Sequence, residues 1–270
     1  MLFGTMENRA QGRYSADDPV TLCPITEPRQ ALAPWDSGSP YEAWLLPRPD
    51  SQHLQFESRL GELADNRFLR TRVWIHNRQA PHLTLWESAL QNRNMSVCLF
   101  ETPGLEAAVS HLNDLRAQIW LDVGSILETA GGPEALGRIL ERFLFDTSWN
   151  SPVMPFSTML LGVVKAESGS LTNRYGLEPG TFRIDESRNG DTPPGFAAEL
   201  LARLQAEVSS PKTWLEARRP CQDCSHLSVC GGCLAVGDGK PCRPAGLQLV
   251  ARIQEVGLQI RAQMAPPTGI

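Results

Sequence analysis

The sequence lacks the short motifs by which many functions are recognised. It has no P-loop, no glycine-rich dinucleotide fingerprint after a strand, no H-E-x-x-H helix and no G-x-S-x-G nucleophile elbow. These absences exclude the usual signatures of nucleotide-binding proteins, zinc proteases and serine hydrolases.

Long apolar runs and excess positive charge are also missing. No run approaches the roughly 18–20 apolar residues of a membrane-spanning helix. The opening stretch, MLFGTMENRAQGRYSADD, has no apolar core like that of a signal peptide. The formal net charge of −5 argues against a basic face for nucleic acid. We therefore expect a cytoplasmic protein whose partners are neither nucleic acid nor membrane.

Cysteine is scarce outside one segment. Five of the seven cysteines fall in the 22 residues 221–242, CQDCSHLSVCGGCLAVGDGKPC. Cytosolic thiols are kept reduced, and an odd number of clustered cysteines fits disulfide pairing poorly. The segment is therefore interpreted as metal-binding or catalytic.

The cysteine spacing, C-x2-C-x5-C-x2-C-x8-C, is typical of metal ligation. Two C-x2-C pairs can make a tetrahedral zinc site, but zinc modules usually separate their pairs by about 12–20 residues. Closely spaced thiolates favour an iron–sulfur cluster, and Gly231 and Gly232 let the backbone approach a bulky cluster. We predict an iron–sulfur cluster, with a structural Zn²⁺ as the alternative. The candidate ligands are Cys221, Cys224, Cys230, Cys233 and Cys242.

Other residues near the segment carry weaker indications. His226 lies between two of the candidate cysteines, and we interpret it as a polar loop residue rather than a ligand. Cys23 is isolated in the N-terminal segment and is interpreted as a small packing residue.

The region before the cysteines alternates between two patterns. Apolar runs typical of buried strands occupy residues 41–47, 71–76, 96–100, 118–123 and 157–164. Amphipathic helical patterns separate them, at residues 56–69, 83–93, 104–116 and 133–145. This alternation predicts an α/β fold with a parallel sheet, either a partial βα barrel or an open sheet. Five strands are too few for a closed eight-stranded barrel.

Three regions follow from these patterns. Residues 1–40 are predicted to be an irregular N-terminal arm, and residues 41–165 the partial βα barrel. Residues 166–264 are predicted to be a small cysteine-rich domain. It contains a short strand at 181–185 in a hairpin region, a helix at 195–208 and a C-terminal helix from Pro244 to about Met264.

The cysteine segment resembles the SPASM domain, the auxiliary-cluster domain of radical S-adenosylmethionine enzymes that modify peptides and proteins. The family pattern is C-x2-C-x5-C-x3-C with a further cysteine afterwards. Cys221, Cys224 and Cys230 match its first three positions, and Cys233 falls one residue short of the fourth. The resemblance covers about residues 175–245. It implies that the first three cysteines and Cys242 hold one [4Fe–4S] cluster, with Cys233 a spare or a substitute for Cys242.

The departures from the family bear on activity. Radical-SAM enzymes carry C-x3-C-x2-C in the loop after the first barrel strand, and the corresponding loop, predicted at residues 48–55 (RPDSQHLQ), has no cysteine. Cys23 and Cys98, 75 residues apart, cannot form that motif. The hairpin also lacks the two cysteines of a second auxiliary cluster. The resemblance thus implies an accessory subunit rather than a radical-SAM enzyme on its own.

Two functions are compatible with these features. As an accessory subunit, the chain would act with a maturase enzyme or a precursor peptide, by peptide binding or electron relay. As the alternative, it would be a structural-zinc module for protein interaction with no catalysis of its own.

A possible pocket at the strand ends is a third hypothesis. In parallel α/β folds, ligands bind beyond the carboxyl ends of the strands. The polar residues at those positions are His76, Asn77, Glu101, Thr102 and Asp122. We favour the simpler interpretation that polar residues resume where strands end, and we assign no catalytic residue.

Overall fold

The computed structural model describes residues 20–25, 41–45, 70–91, 95–167, 182–184, 223–230 and 242–264. In this part of the chain, no helix is long and apolar enough to span a membrane.

The described strands form one parallel sheet. They are β1 (Val20–Ile25), β2 (Tyr41–Leu45), β3 (Arg70–Ile75), β4 (Met95–Leu99), β5 (Gln118–Leu121), β6 (Val153–Met154) and β7 (Phe182–Ile184). Their order is β6-β5-β4-β3-β2-β1-β7, and every described pair is parallel. From β1 to β6, strands consecutive in sequence are therefore neighbours in space. A doubly wound sheet reverses direction at a switch point, whereas this sheet winds one way like a barrel. The predicted α/β class with a parallel sheet is confirmed.

Helices follow the strands. A 3₁₀ helix (Asn77–Trp86) leads into α1 (Glu87–Gln91). Next come α2 (Leu105–Asp114), α3 (Val123–Leu127), α4 (Gly132–Phe145) and α5 (Phe156–Lys165). The last two are α6 (Leu227–Cys230) and α7 (Pro244–Met264). The residues before α2 and α4, Gly104 and Gly131, have φ of 73° and 75°, which a glycine adopts without strain.

Among the side chains that the structure describes, both faces of the sheet are buried across β3 to β6. On one face, alternate strand residues such as Val97, Leu99 and Ile119 join the helices in one apolar cluster. On the other face, Trp74, Cys98, Trp120 and Met154 lie in register across four strands and are also buried. Burial on both sides explains why the strands are continuous apolar runs rather than alternating ones.

One predicted strand is wrong. Residues 157–164, STMLLGVV, lie within α5, and the strand of that βα unit is the two-residue β6 just before it. A short apolar run with β-branched residues fits a strand or a buried helix equally well. Packing decided the outcome, since α5 buries Phe156, Met159 and Val163 and contacts α7.

The first and last strands of the sheet also differ from the prediction. Strand β1 lies inside the N-terminal segment predicted to be irregular. The short strand predicted near 181–185 is present as β7, but it pairs in parallel with β1, with Val20 opposite Phe182. The helices predicted at 56–69 and 195–208 lie outside the described residues. The boundary at residue 166 stays a prediction.

Candidate functional site

The described part of the cysteine segment lies against the last helix of the βα region and the C-terminal helix. The short helix α6 contacts both α5 and α7. Its final residue, Cys230, is 4% exposed and belongs to the apolar cluster, together with Val229. The turn before it is closed by backbone bonds, because the amide of Leu227 donates to the Cys224 carbonyl at 3.1 Å. One predicted ligand is thus held on the hydrophobic core.

The other predicted ligands are described in part. Cys224 is half-buried at the start of the α6 turn. Cys242 is also half-buried, packs against the apolar cluster and precedes α7 by two residues. These cysteines and Cys230 are thiols rather than half-cystines. Cys221 and Cys233 lie outside the described residues.

The donor set suits a soft metal centre. Thiolates are the ligands of iron–sulfur clusters and of structural zinc, and an apolar shell such as that around Cys230 is typical of both. Within the described ranges, no three His, Cys, Asp or Glu side chains lie close enough together to hold a metal ion. Cys224, Cys230 and Cys242 are all described and do not form such a group, and Cys221 and Cys233 lie outside those ranges. The five-cysteine ligand set therefore stays a prediction.

His226 links this segment to the C-terminal helix. Its Nδ1 lies 3.1 Å from Oε1 of Gln254 on α7. An amide oxygen only accepts, so Nδ1 is the donor in this hydrogen bond. The backbone carbonyl of His226 also accepts from the amides of Val229 and Cys230, both at 3.0 Å. The residue therefore positions the α6 turn through both its side chain and its backbone.

A second cluster of polar side chains forms at the carboxyl ends of β3 and β4. The parallel register places Ile75 opposite Leu99, so the residues that follow each strand are neighbours. Nδ1 of His76 lies 2.6 Å from Oε1 of Glu101. The backbone amide of Asn77 donates to the other carboxylate oxygen, Oε2, at 3.3 Å. Both oxygens of Glu101 are therefore oriented from the neighbouring strand end.

Asn77 holds the two strand ends together. Its Nδ2 donates to the backbone carbonyls of Glu101, at 2.7 Å, and Pro103, at 2.9 Å. The side chain is buried, with 4% of the residue exposed. Its Oδ1 is buried and accepts no hydrogen bond from the described residues. The hypothesis that polar residues simply resume after the strands does not account for this buried arrangement.

Two other strand-end residues have local structural roles. Asp122 caps α3, accepting from the backbone amide of Ser125 at 3.3 Å and from its hydroxyl at 2.8 Å. Thr102 hydrogen-bonds the hydroxyl of Thr129, which in turn donates to the carbonyl of Ile126. Of the five predicted strand-end residues, the structure thus joins His76, Asn77 and Glu101 directly. The sequence signal that finds them is their place one or two residues after the ends of two adjacent parallel strands, β3 and β4.

Comparisons with known proteins add no assignment. No protein-family model matches the chain, and neither the curated proteins nor the solved structures contain a significant match.

Proposed function

We propose that this protein is a radical-SAM/SPASM-related accessory subunit that binds one iron–sulfur cluster and takes part in peptide modification. It would act beside a maturase enzyme or on a precursor peptide. The observation that carries the proposal is that α6, which ends at Cys230, packs against α5 of a βα region whose described strands lie in barrel order. A βα partial barrel followed by a cysteine segment packed on its last helices is the arrangement that the SPASM resemblance implies.

The proposed ligands follow the resemblance. Cys221, Cys224, Cys230 and Cys242 would hold the cluster, and Cys233 would be spare. A bound iron–sulfur cluster supplies one-electron transfer, at a potential tuned by burial and hydrogen bonds. The chain itself contributes the apolar surroundings of Cys230 and the His226–Gln254 link that orients the turn.

The proposal excludes cleavage of S-adenosylmethionine by this chain alone. The first described strand is β1, earlier than predicted, and it ends at Ile25. The segment between β1 and β2, residues 26–40 (TEPRQALAPWDSGSP), contains no cysteine, and neither do residues 48–55. The C-x3-C-x2-C motif is thus missing from both segments. Incubation of the purified protein with S-adenosylmethionine and a strong reductant should yield no 5′-deoxyadenosine above a protein-free control.

Metal analysis tests the cluster. Protein purified without oxygen should be brown and contain about four iron atoms and four sulfides per chain. Cys98→Ser is a matched control because Cys98 is on β4, outside the cysteine segment, and this variant should keep its iron. A colourless protein with one zinc ion and no sulfide would overturn the cluster and favour the structural-zinc interaction module.

A further inference from the structure

The strand-end cluster contains a carboxylate, that of Glu101, with little positive charge near it among the described residues. Glu101 is partly accessible, with its side chain 34% exposed. Its one ion-pair partner among the described residues is His76, whose charge depends on protonation. Neither Lys nor Arg pairs with this carboxylate in the described ranges. The orienting donors from His76 and Asn77 use one position on each oxygen, and a carboxylate oxygen can accept more than one hydrogen bond.

The second acceptor is the side-chain oxygen of Asn77. Its orientation is determined by the hydrogen bonds of Nδ2, because flipping the amide would place Oδ1 against the carbonyl oxygens of Glu101 and Pro103. A buried acceptor without a donor is destabilising. The strand-end cluster therefore combines a partly exposed carboxylate with a buried amide oxygen that accepts no hydrogen bond from the described residues.

We infer that Glu101 and Asn77 form a binding site for a primary ammonium group at the carboxyl edge of the sheet. An ammonium has three N–H donors and no acceptor, and it carries a positive charge, which no described Lys or Arg places on Glu101. An anionic ligand would meet the carboxylate of Glu101 and supply no donor for Asn77. His76 is a positioning residue here, since it donates to Glu101 and holds that carboxylate in place.

The ammonium can come from two sources, the α-amine of a peptide or a lysine side chain. This inference goes beyond the proposed function and does not depend on the metal centre. A protein that binds a cluster but no amine would overturn the inference alone.

The test is an NMR titration of the full-length protein with three short peptides. Triglycine amide offers a free α-amine, and N-acetyl-Gly-Lys-Gly amide offers a side-chain amine. N-acetyl-triglycine amide offers neither and is the uncharged control. We expect one or both amine peptides to shift the side-chain NH₂ signals of Asn77 and the ring signals of His76, and the control to shift neither.

Charge-matched variants sharpen the result. Glu101→Gln removes one negative charge with little change of shape and should weaken amine-peptide binding by roughly tenfold or more. Glu106→Gln makes the same charge change on the first turn of α2, where Glu106 pairs with Arg138, and should leave binding within about twofold. Equal shifts with the acetylated control, no shifts with either amine, or unchanged affinity in Glu101→Gln would each overturn the inference. If Glu101→Gln does not fold, the comparison of the three peptides on the unaltered chain decides whether the ammonium site exists.

Discussion

Gly257 of α7 lies directly against Val163 of α5. A Cβ placed on Gly257 would stand 2.7 Å from Cγ1 of Val163 and 2.8 Å from its Cβ, closer than carbon atoms approach without displacement. Val163 is β-branched and stiff, so its side chain cannot turn away cheaply. The two helices therefore approach each other through this glycine, and the approach brings the C-terminal helix onto the βα region.

Substitution of this glycine should loosen the crossing of the two helices. Gly257→Ala is expected to lower the free energy of unfolding by about 1–3 kcal/mol, because overpacking a tight contact forces backbone or rotamer shifts. Urea denaturation monitored by circular dichroism measures the change. Gly137→Ala on α4 is the matched control, since a Cβ there meets nothing within 4 Å. It should be neutral or stabilising by up to about 1 kcal/mol, and equal losses in the two variants would contradict the steric explanation.

Asn113 should stabilise the folded protein by holding the loop that leads to β6. Its buried Oδ1 accepts from the backbone amides of Asn150, at 2.8 Å, and Ser151, at 3.1 Å. Asn113→Leu would leave both amides without this acceptor and should destabilise the protein by at least about 2 kcal/mol. Thermal unfolding measures the effect. Asn150→Ala removes only an exposed side chain and should change stability by no more than about 0.5 kcal/mol. A similar loss in both variants would show that the buried acceptor is not what matters.

The pair of Glu106 on α2 and Arg138 on α4 should make a small, pH-dependent contribution to stability. The hydrogen bonds from the Arg138 guanidinium lower the pKa of the Glu106 carboxyl from its ordinary value, and the nearby positive charges of Arg138 and Arg142 act in the same direction. Because the folded-state pKa is lowered, this contribution is present above the unfolded-state pKa and is lost as the pH falls through the folded-state value. Both side chains are largely exposed, so the effect is modest.

An NMR titration of the Glu106 carboxyl checks this sign. Arg138→Gln should raise the pKa of Glu106 toward its ordinary value and flatten the acid limb of the stability curve. Arg261→Gln, which removes an equal charge near the end of α7, should leave the pKa of Glu106 in place. A Glu106 pKa that is the same in both variants would contradict the role assigned to Arg138.

His226 and Cys224 should behave differently in metal binding. Under the proposed function, Cys224→Ser removes a ligand and should reduce iron and sulfide content by at least half after anaerobic purification. His226→Gln should retain both, because the imidazole is assigned to the hydrogen bond with Gln254 rather than to the metal. Loss of iron in both variants to the same extent would instead make His226 a ligand. Cys98→Ser provides the control for a general effect of replacing a cysteine.

The sequence predicted much of the fold where local pattern and packing agree. The strands near residues 41, 71, 96 and 118 and the helices α2, α4 and α7 are present. For α4, the apolar spacing of Leu136, Ile139 and Leu140 matches the buried face. The prediction was wrong for α5, where a short apolar run hid the helical spacing of the buried Phe156, Met159 and Val163. The start of the sheet was missed because VTLCPI contains a proline, which usually argues against an interior strand.

For the candidate sites too, some features were predicted from the sequence and others depend on tertiary packing. The cysteine spacing and the choice of a thiolate-binding metal came from the sequence alone, because ligand type and short spacing are local properties. The contact of Cys230 with the core and the link from His226 to Gln254 join residues far apart in the chain, so they depend on how α6 and α7 pack.

The sequence by itself determined the alternating βα pattern, the parallel class of the sheet and the residue types at each strand end. Only the tertiary structure decided that His76, Asn77 and Glu101 meet, and that the orientation of Asn77 leaves its oxygen without a donor among the described residues. The physical reason is that side-chain periodicity records which face of an element is buried. The register between two strands and the direction of each hydrogen bond are settled only when the strands lie side by side.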